Sequence, residues 1–575
     1  MSPTPLFDAA LDKILDELKP HTRTCAETGE TFEIGEKDIE MCKLLRVPPP
    51  KTIWWARIRQ KRHFMGGFDL FRRTLPDGQS VVTMFDPESF AKILPVPAWN
   101  SDAFDPMAFG FSKTSEQSFF EAWRSLSAAV PRPALIQDPS SVNSDWSTYG
   151  WAMKNCYFTY EGIFNEDLQY ADFMAWTSNN ADAMNNAHSE WRYETVDCKY
   201  CSRTIFSERC EACIDIAFCA ACKDCSDCFG CTNLRHKKFC FLNEQLTEEE
   251  YRKRVLAIDL RDAQVVEEWR DRIAPLWTEA FRLASLVLRS ENVSGDDIQD
   301  SRDTIGVLLY SCERVSYAFG CTNCKDSANI TSCMNSERCT NTLKVFDSYD
   351  VKHSLHCTGC VEVEYSELLT SCEYCFGCIG LKHKRFCILN KQYTEEEYWP
   401  LVDAIKMAML ERGEYGEFFP HAASPFAFNT SGISTLYPFT KEESEKLGVR
   451  WHVFTELGNA SAVSIDELPT NLKDTTDVIL SKRFLCPITG RSFGFVKPEL
   501  ALHRLLNVAL PRVHPTVRRM QRAAQYLAPR LYPRACTSCH ANVVTRLSPE
   551  KTTPVLCETC YEEVVIGEKE APVSV

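Results

Sequence analysis

Apolar residues recur at helical spacing in only part of this chain. Residues 1–24 fit one amphipathic helix, and residues 515–529 fit another. A longer helical run follows Thr247-Glu-Glu-Glu250, which has the spacing of a capping box. Its apolar positions are Val255, Ile258, Val265, Trp269, Ile273, Leu276, Phe281, Ala284 and Leu288. Because proline has no amide hydrogen, Pro275 is expected to break this run into a kinked helix or a pair of helices.

Two cysteine-rich regions follow a period of three instead. The most regular stretch has a cysteine at every third position: Cys219, Cys222, Cys225, Cys228 and Cys231. Longer steps between cysteines are multiples of three as well, and helical spacing is absent from both regions. Equivalent positions of a β-solenoid stack from coil to coil, and an inward stack selects small side chains that tolerate burial. The pattern therefore predicts two narrow β-solenoid (β-helix) units with inward thiols.

Two internal duplications organise the chain. Residues 228–251 (CFGCTNLRHKKFCFLNEQLTEEEY) match residues 375–398 (CFGCIGLKHKRFCILNKQYTEEEY) at a shift of 147. Residues 25–50 match residues 486–511 at a shift of 461, which pairs Cys25 with Cys486. The first duplication relates the two solenoid units. The second indicates that an N-terminal and a C-terminal module of one ancestry bracket those units.

These patterns together predict a multidomain α+β protein. The expected segments are an N-terminal amphipathic helix 1–24, a degenerate zinc-ribbon-like module 25–100, a linker or docking segment 101–149, a first solenoid unit 150–246, a helical connector 247–304, a second solenoid unit 305–393, a helix with an irregular segment 394–480, a basic helix plus zinc ribbon 481–565 and a disordered tail 566–575.

The cysteine count changes the expected chemistry. The chain has 29 cysteines among 575 residues, which is an odd number. Its first residues lack the basic stretch and apolar run of a signal peptide, and no apolar stretch has the length of a transmembrane helix. We therefore expect a cytoplasmic protein with reduced thiols. Metal ligation and buried free thiols are favoured over a disulfide framework.

The C-terminal module carries the clearest metal-binding motif. Its four ligand candidates are Cys536, Cys539, Cys557 and Cys560, in the Cys-x2-Cys pairs of a zinc ribbon. Four thiolates complete a tetrahedron around Zn2+, so one structural zinc ion is expected, with further sites left open. The N-terminal copy lacks this set; its aligned residues are Leu75, Gly78, Pro95 and Ala98. Aromatic packing is expected to replace the metal there, from Trp54, Trp55, Phe64, Phe68, Phe71 and Trp99.

The charge of the chain reverses sign around the predicted ribbon. Overall, 64 Lys+Arg and 79 Asp+Glu give a net charge of −15, which excludes a globally basic nucleic-acid binder. The ribbon region nevertheless contains an arginine cluster: Arg512, Arg518, Arg519, Arg522, Arg530 and Arg534. We predict that these residues contact the phosphates of RNA or DNA. Two alternatives stay open, namely pairing with acidic residues of the same chain and binding of an acidic protein.

The central cysteines allow three interpretations. They form reduced structural ladders, additional zinc knuckles, or ligands of an iron–sulfur cluster, which the Cys-x2-Cys-x2-Cys run resembles. His236 and His383 occupy matching places in the repeat and are either metal ligands or structural hydrogen bonders.

The repeated motif CFGC-x2-L-x-H-K-x-F-C-x-L-N-x-Q-x-T-E-E-E-Y resembles an uncharacterised cysteine-rich zinc-ribbon protein family of candidate phyla radiation (Patescibacteria) bacteria. The likeness extends to VPRPALI (130–136), SVNSDW (141–146) and CETCY (557–561). No activity is established for that family, so the resemblance implies zinc binding but no reaction. It also implies cysteine pairs in the N-terminal module, where this chain has Ile53 and Ala56. Zinc binding at that end is therefore expected to be lost.

Three functions follow as hypotheses. The first is a non-enzymatic zinc-binding scaffold that binds nucleic acid or a ribonucleoprotein through the basic C-terminal module. The second is a protein–protein interaction scaffold that uses the solenoid faces. The third is a metal or iron–sulfur redox protein, or a β-helix groove enzyme with the candidate carboxylates Asp347, Asp350, Glu362, Glu364 and Glu367. No Walker loop, dinucleotide fingerprint or nucleophile elbow is present in the sequence. We expect no membrane partner, and the pattern leaves the oligomeric state open.

Overall fold

The computed structural model describes residues 2–114, 116–301, 304–310, 317, 327–334, 337–437, 440–454 and 461–567. It is a mixed α+β structure, as predicted, with many short strands and a dozen α-helices in these ranges. No helix within them is both long and apolar enough to cross a bilayer.

The N-terminal part consists of short helices and two β-hairpins. Its elements are α1 (Pro5–Asp16), β1 (His21–Thr24), β2 (Thr31–Ile34), α2 (Glu36–Leu45), α3 (Trp54–Arg62), β3 (Phe71–Thr74), β4 (Ser80–Thr83), β5 (Ile93–Leu94), α4 (Val96–Asn100), α5 (Phe119–Ala129) and β6 (Arg132–Pro133). The pairs β1–β2 and β3–β4 are antiparallel, whereas β5 pairs in parallel with β6. Only part of the predicted helix 1–24 is present, as α1, which buries Phe7, Leu11 and Leu15, whereas residues 21–24 form β1.

The first cysteine-rich unit is a nine-stranded sheet. Its strands are β7 (Trp146–Lys154), β8 (Tyr157–Gln169), β9 (Asp172–Met184), β10 (Ala187–Val196), β11 (Ser202–Glu208), β12 (Ile214–Ala217), β13 (Ser226–Phe229), β14 (Lys238–Phe241) and β15 (Glu244–Gln245). Each strand from β7 to β14 pairs in parallel with the next, and β15 closes the edge antiparallel. Partners lie 12 residues apart, as in Thr204 and Ile216 or Cys228 and Cys240.

A left-handed backbone conformation recurs at every third residue of this unit. From Tyr149 to Asp227 these residues have φ between 46° and 56°, although none of them is glycine. Four such residues fall in each 12-residue repeat, and each cysteine of the unit from Cys198 to Cys240 directly follows one of them except Cys231, which follows Gly230 at φ 66°. The three-residue period of the sequence is therefore a backbone period.

Two helices follow the first unit, α6 (Glu248–Leu256) and α7 (Ala263–Glu279). The predicted capping box is confirmed, because Glu250 N donates to Thr247 Oγ1 and Thr247 N donates to Glu250 Oε2. The predicted pair of helices is present, but Pro275 does not separate them, since α7 continues through it. The break lies at 257–262 instead, where the Asp262 carboxylate caps α7 by accepting from Gln264 N.

The second unit repeats the architecture of the first. Its described strands are β16 (Arg282–Leu283), β17 (Val287–Leu288), β18 (Ser294–Gln299), β19 (Ile305–Tyr310), β20 (Thr331–Met334), β21 (Leu343–Phe346), β22 (Tyr349–Lys352), β23 (Val361–Glu364), β24 (Glu373–Phe376), β25 (Arg385–Ile388) and β26 (Lys391–Gln392). The strands β22 to β25 pair in parallel at a shift of 12, and β26 is antiparallel. Cys312, Cys321 and Cys324 of this unit lie outside the described residues.

The last part contains a long helix, an irregular segment and the C-terminal module. Its elements are α8 (Glu395–Glu411), α9 (Lys441–Lys446), β27 (Phe484–Leu485), β28 (Ser492–Phe493), α10 (Lys497–Leu506), α11 (Pro515–Gln525), β29 (Tyr532–Ala535), β30 (Asn542–Thr545), β31 (Val555–Leu556) and α12 (Glu558–Tyr561). The strand β31 pairs in parallel with β16, as β5 pairs with β6 at the other end.

One helix packs against each cysteine-rich unit, at a glycine that is equivalent in the two units. Gly377 of the second unit lies against Phe119 of α5, and a Cβ there would come within 2.9 Å of that ring. The equivalent Gly230 of the first unit lies against Ile273 of α7, also at 2.9 Å. Both glycines are left-handed, with φ of 69° and 66°. The two helices therefore occupy equivalent places on the two units.

Candidate metal centre and binding surfaces

The predicted four-cysteine group is assembled at one place. Cys536 follows β29 in a tight turn, where its N–H donates to Ala541 O and its carbonyl accepts from His540 N. His540 supplies the left-handed residue of this turn, with φ of 60°. Cys557 precedes α12 and Cys560 lies within it. A hydrogen bond from Cys557 N to Cys536 Sγ, at 3.3 Å, joins the two pairs.

The sulfur positions fit a tetrahedral metal ion. The four Sγ atoms all lie within 4.8 Å of one another, and Cys539 Sγ is 3.7 Å from Cys557 Sγ. A metal–sulfur distance of ~2.3 Å in a tetrahedron requires sulfurs about 3.8 Å apart, whereas a disulfide requires about 2.0 Å. Burial raises the pKa of Cys536, but amide hydrogen bonds from Cys557, Cys539 and Ser538 outweigh it and bring the pKa to about 6. The group can therefore hold a metal ion.

Turns similar to the one at Cys536 occur at Cys25, Cys486 and Leu75, but without the other three thiols of the metal group. In the turns at Cys25 and Cys486 the N–H again donates to the carbonyl five residues later. The turn at Leu75 is one residue shorter, with Leu75 N donating to Gln79 O. Ile53 N donates to Cys25 Sγ at 3.4 Å, which repeats the contact between Cys557 and Cys536. Among the described residues, neither lone cysteine belongs to a group of three or more potential ligands.

The aromatic residues predicted to replace the metal do not form one cluster. Phe64 and Phe68 belong to the main core, whereas Trp55 belongs to a separate cluster with Ile58. Trp99 packs on Phe104 with ring centroids 5.0 Å apart. Leu75 itself packs against the main core.

The central thiols are buried structural groups. Cys198, Cys210 and Cys219 are each at most 1% exposed. The Sγ of Cys210 lies 3.7 Å from Cys219 O, and that of Cys219 lies 3.5 Å from Cys228 O. Burial raises the pKa of Cys210 and of Cys219 well above the ordinary thiol value. Outside the four-cysteine group, the only described set of three potential ligands within 4.8 Å is Asp86, Glu88 and His452.

The interpretations with extra zinc knuckles or an iron–sulfur cluster therefore find no ligand group among the described central cysteines. His236 is an exposed side chain 3.6 Å from Asp224, outside either group. His383 is likewise outside them. Asp86, in the second group, is bound by Arg450 through both carboxylate oxygens at 2.7 and 2.8 Å.

The arginine cluster is used inside the chain. Arg518 and Arg522 of α11 both pair with the buried Asp182 of β9, and Arg519 pairs with Asp172. All three arginines are only 3–4% exposed. The prediction that they contact nucleic acid is wrong for these side chains, because their guanidinium groups are buried against the first unit. The alternative of pairing within the chain accounts for them.

The other three predicted arginines also make contacts within the chain. Arg530 donates to Glu30 at 3.0 Å and lies 4.1 Å from the centre of the Trp55 ring. Arg512 donates to the carbonyls of Ile465 and Leu468, and Arg534 donates to Thr553 O at 3.4 Å.

The candidate carboxylates of the second unit do not form an open groove. Glu367 accepts from Arg132 at 2.7 and 3.1 Å, and Glu364 accepts from Lys406 and from Tyr415 Oη. Asp350, Glu362 and Glu364 line a pocket of about 170 Å3, below the ~300–1,000 Å3 typical of ligand sites. Asp347 does not line it.

A buried imidazole pair was not foreseen from the sequence. His63 Nδ1 lies 2.7 Å from His421 Nδ1, and the outer nitrogens face Phe426 O at 3.2 Å and Glu27 Oε2 at 3.3 Å. Carbonyl and carboxylate oxygens only accept, so the ring nitrogen donates in each outer contact. Burial and the neighbouring His421 lower the pKa of His63 well below its ordinary value. Glu27 also pairs with Arg59 at 2.6 Å.

The first unit also carries an exposed column of stacked rings, which we call the aromatic ladder: Phe164, Trp176, His188 and Tyr200. The ring centroids are 5.9, 5.0 and 5.0 Å apart, and the planes differ by 13°, 2° and 3°. Phe164, Trp176 and Tyr200 are 57%, 49% and 58% exposed. Aromatic residues at intervals of 12 are visible in the sequence, but they identify a column only once the 12-residue register is known.

Cations on columns beside the ladder are paired with carboxylates. Lys154 pairs with Glu166, Arg203 with Asp215, and Lys223 with Glu211. The ladder is therefore an apolar strip with neutralised flanks.

Comparisons with known proteins add little to this geometry. No family model and no curated protein matches the chain. Among solved structures, a crystal structure of a putative acetyltransferase from Desulfovibrio desulfuricans G20 is similar at 11% identity and a TM-score of 0.09. That match covers 40% of this chain and 63% of the other one, and a likeness this weak carries no argument. Function must be inferred from the sites themselves.

Proposed function

We propose that this protein is a zinc-stabilised, non-enzymatic scaffold that binds a protein partner through the aromatic ladder of its first unit. The ladder carries this proposal, since large exposed rings in a contiguous strip are typical of interaction sites on soluble proteins. Trp and Tyr are the residues most enriched at the energetic centres of interfaces.

Nucleic acid is the rival partner, and the charges disfavour it. Polyanion binding needs several cations free to neutralise phosphates. The guanidinium groups of α11 are buried in pairs with Asp182 and Asp172, and the cations beside the ladder are paired with carboxylates, so neither set is free to bind phosphates. The second sequence hypothesis, an interaction scaffold, is thus the better supported one.

Two features of the proposed scaffold support a rigid platform. The parallel strands carry isolated bridges at the same 12-residue shift, such as Lys199 with Glu211 and Glu211 with Lys223, between the main strands. We infer that each unit closes into a narrow four-sided solenoid with the thiols inside. Four thiolate ligands support Zn2+ as the metal of the four-cysteine group. Buried free thiols support a reducing compartment such as the cytoplasm.

The partner can be tested with a photo-crosslinking residue at position 188, in the middle of the ladder. We expect an adduct in a lysate of native cells that protease removes and nuclease does not. The variant W176S/Y200S should lose the adduct at unchanged folding, and the same crosslinker at Glu249 of α6 should give none. A nuclease-sensitive adduct, or one that survives the double substitution, would refute the proposal.

A further inference from the structure

A groove of about 650 Å3 lies on the opposite side of the first unit from the aromatic ladder. Phe206 and Phe218 form its floor, half a 12-residue repeat away from His188 and Tyr200. Trp277 of α7 lies on one wall, and Gln521 of α11 lies on the other. This volume is within the usual range of binding clefts.

The two duplications place an equivalent groove on the second unit. The shift of 147 carries Phe206 and Phe218 onto His353 and Tyr365. The shift of 461 carries Gln60 onto Gln521. Both floors are columns of stacked rings: His353 and Tyr365 are 4.8 Å apart, and Phe206 and Phe218 are 4.7 Å apart.

The helical walls of the two grooves also correspond. Trp123 follows Phe119 by four residues in α5, and Trp277 follows Ile273 by four residues in α7. Phe119 and Ile273 are the side chains that lie against the two equivalent glycines. Both grooves are therefore enclosed by three equivalent surfaces. These are one face of a cysteine-rich unit, one helix that carries a Trp, and one helix of a terminal module that carries a Gln.

The groove of the second unit is filled by the chain itself. The segment 413–419 (GEYGEFF) places Phe419 4.0 Å from the Trp123 ring and Tyr415 6.0 Å from the Tyr365 ring, measured between centroids. Gln60 Nε2 donates to Phe419 O at 3.0 Å, and Gly416 N donates to Tyr365 Oη at 2.9 Å. Every wall of this groove thus contacts the aromatic segment.

Among the described residues of the first half, no such segment lies at the equivalent place in the sequence. The shift of 147 places residues 413–419 opposite residues 266–272, which form part of α7. In the first half these residues therefore form a wall of the groove, whereas their counterparts in the second half fill the groove of the second unit. Residue replacements agree with an open cleft, because Gln525, an exposed side chain, replaces Phe64, which packs 5.6 Å from Phe418.

The charge of the open groove indicates which peptides it accepts. Its lining has four arginines, of which Arg518 and Arg522 pair with Asp182 and Arg270 pairs with Glu194. The fourth, Arg512, donates to the backbone carbonyls of Leu468 and Ile465, which carry no charge to balance it. In the filled groove Glu417 accepts from Lys51 N at 3.1 Å, and Lys51 aligns with Arg512. An acidic residue between the aromatic residues of the occupant is therefore matched by Arg512.

We propose that the open groove binds an extended segment of a partner protein with aromatic residues in a Tyr-x2-Phe-Phe arrangement and an acidic residue between them, in the manner of residues 413–419. This surface is separate from the aromatic ladder, so the two proposals stand or fail independently.

The probe is a fluorescent peptide of residues 411–423 (ERGEYGEFFPHAA), titrated into the full-length protein and followed by anisotropy. We expect saturable binding of one peptide per chain. Replacing Phe418 and Phe419 of the peptide by Ser should weaken binding at least tenfold. In the protein, Ala274→Trp on α7 or Ala524→Trp on α11 should fill the groove and weaken binding at least tenfold, whereas Glu268→Trp on the opposite side of α7 should change it less than twofold.

A photo-crosslinking residue at peptide position 418 then locates the site. Adducts on α7 and α11 support the proposal. Adducts on α3 and α5 would show that the peptide displaces the chain's own segment, and would overturn it. Absence of saturable binding, or equal binding by both Trp variants and the Glu268→Trp control, would overturn it as well.

Discussion

Asp182 holds α11 on the first unit, and its replacement by Asn tests that account. Its buried carboxylate accepts from Arg522 at 2.7 Å and also pairs with Arg518. Asp182→Asn keeps the shape and removes the charge, which leaves Arg522 without a carboxylate. Breaking a buried pair in this way costs ~3–5 kcal/mol. Because Arg518 retains Glu499 at 3.4 Å, we expect a loss of about 3 kcal/mol, at the lower end of that range.

The loss of stability in Asp182→Asn should depend on pH, and Glu499 determines whether it grows or shrinks as the pH rises. Burial and the nearby Asp182 charge raise the pKa of Glu499 from 4.5 to about 7 overall, against the lowering effect of Arg518. An acid whose pKa is higher in the folded state stabilises that state at pH values below its unfolded pKa. This stabilisation is lost as the pH rises through the folded pKa. Asp182→Asn removes one cause of the raised pKa, so ionised Glu499 then compensates Arg518. The destabilisation should therefore be smaller at pH 8 than at pH 5.

Hydrogen exchange over residues 515–525, read by mass spectrometry, measures the local opening of α11. About 3 kcal/mol corresponds to roughly 100-fold faster exchange at pH 5 after correction for the intrinsic rate. The control is Asp215→Asn, which removes an exposed pair with Arg203 and should change local stability by less than about 1 kcal/mol. This account of the arginines would be refuted if residues 515–525 of Asp182→Asn exchanged at a rate within threefold of the wild-type rate. A loss of stability that is larger at pH 8 than at pH 5 would refute it as well.

Three further predictions concern the metal group, the glycine contact and the imidazole pair. Cys557→Ser should lower the zinc content by one ion per chain and increase proteolysis within residues 530–563, as measured by elemental analysis and limited digestion; an unchanged zinc content contradicts the assignment. Gly377→Ala should destabilise the protein by roughly 1–3 kcal/mol in thermal unfolding, because its left-handed backbone and the Phe119 ring leave no room for a methyl group; an unchanged midpoint contradicts the contact. Burial raises the pKa of Glu27, but His421 and Arg59 lower it below 4.5 overall, so this carboxylate adds stability above pH 4.5 that is lost on acidification. Glu27→Gln should reduce the acid dependence of unfolding, and an identical pH profile would contradict the lowered pKa of Glu27.

The sequence predicted the local features of this protein better than its long-range contacts. The spacing of the four-cysteine group, the capping boxes and the burial of thiols depend on residues a few positions apart, and a periodic pattern reports them. The 12-residue register between neighbouring strands is four of these three-residue periods, so it follows from the same pattern. The break between the helices was misplaced at Pro275, because this ring lies on an exposed part of α7 between Ala274 and Leu276, while Asp262 caps the start of the helix.

The arginines show where such reasoning stops. Arg519 pairs with Asp172, which is more than 300 positions away in the chain, and a run of arginines in a sequence contains no information about that partner. The same limit applies to His63 and His421, which are brought together from two distant segments. The open groove depends on three surfaces from three parts of the chain, and only the comparison of both duplications reveals its filled counterpart.

The pairing of β5 with β6 and of β31 with β16 has a consequence for the history of the chain. In the first half the module precedes its unit, and in the second half it follows, yet both modules contact the strand that leads into a unit. The order of module and unit is thus reversed between the two halves. The helix of the first half also packs on the second unit through Phe119. Fusion of two gene copies with relocation of one module would produce this order. The contact between the two halves, which includes Phe119, Tyr365 and Phe376, then forms part of the core of a single chain.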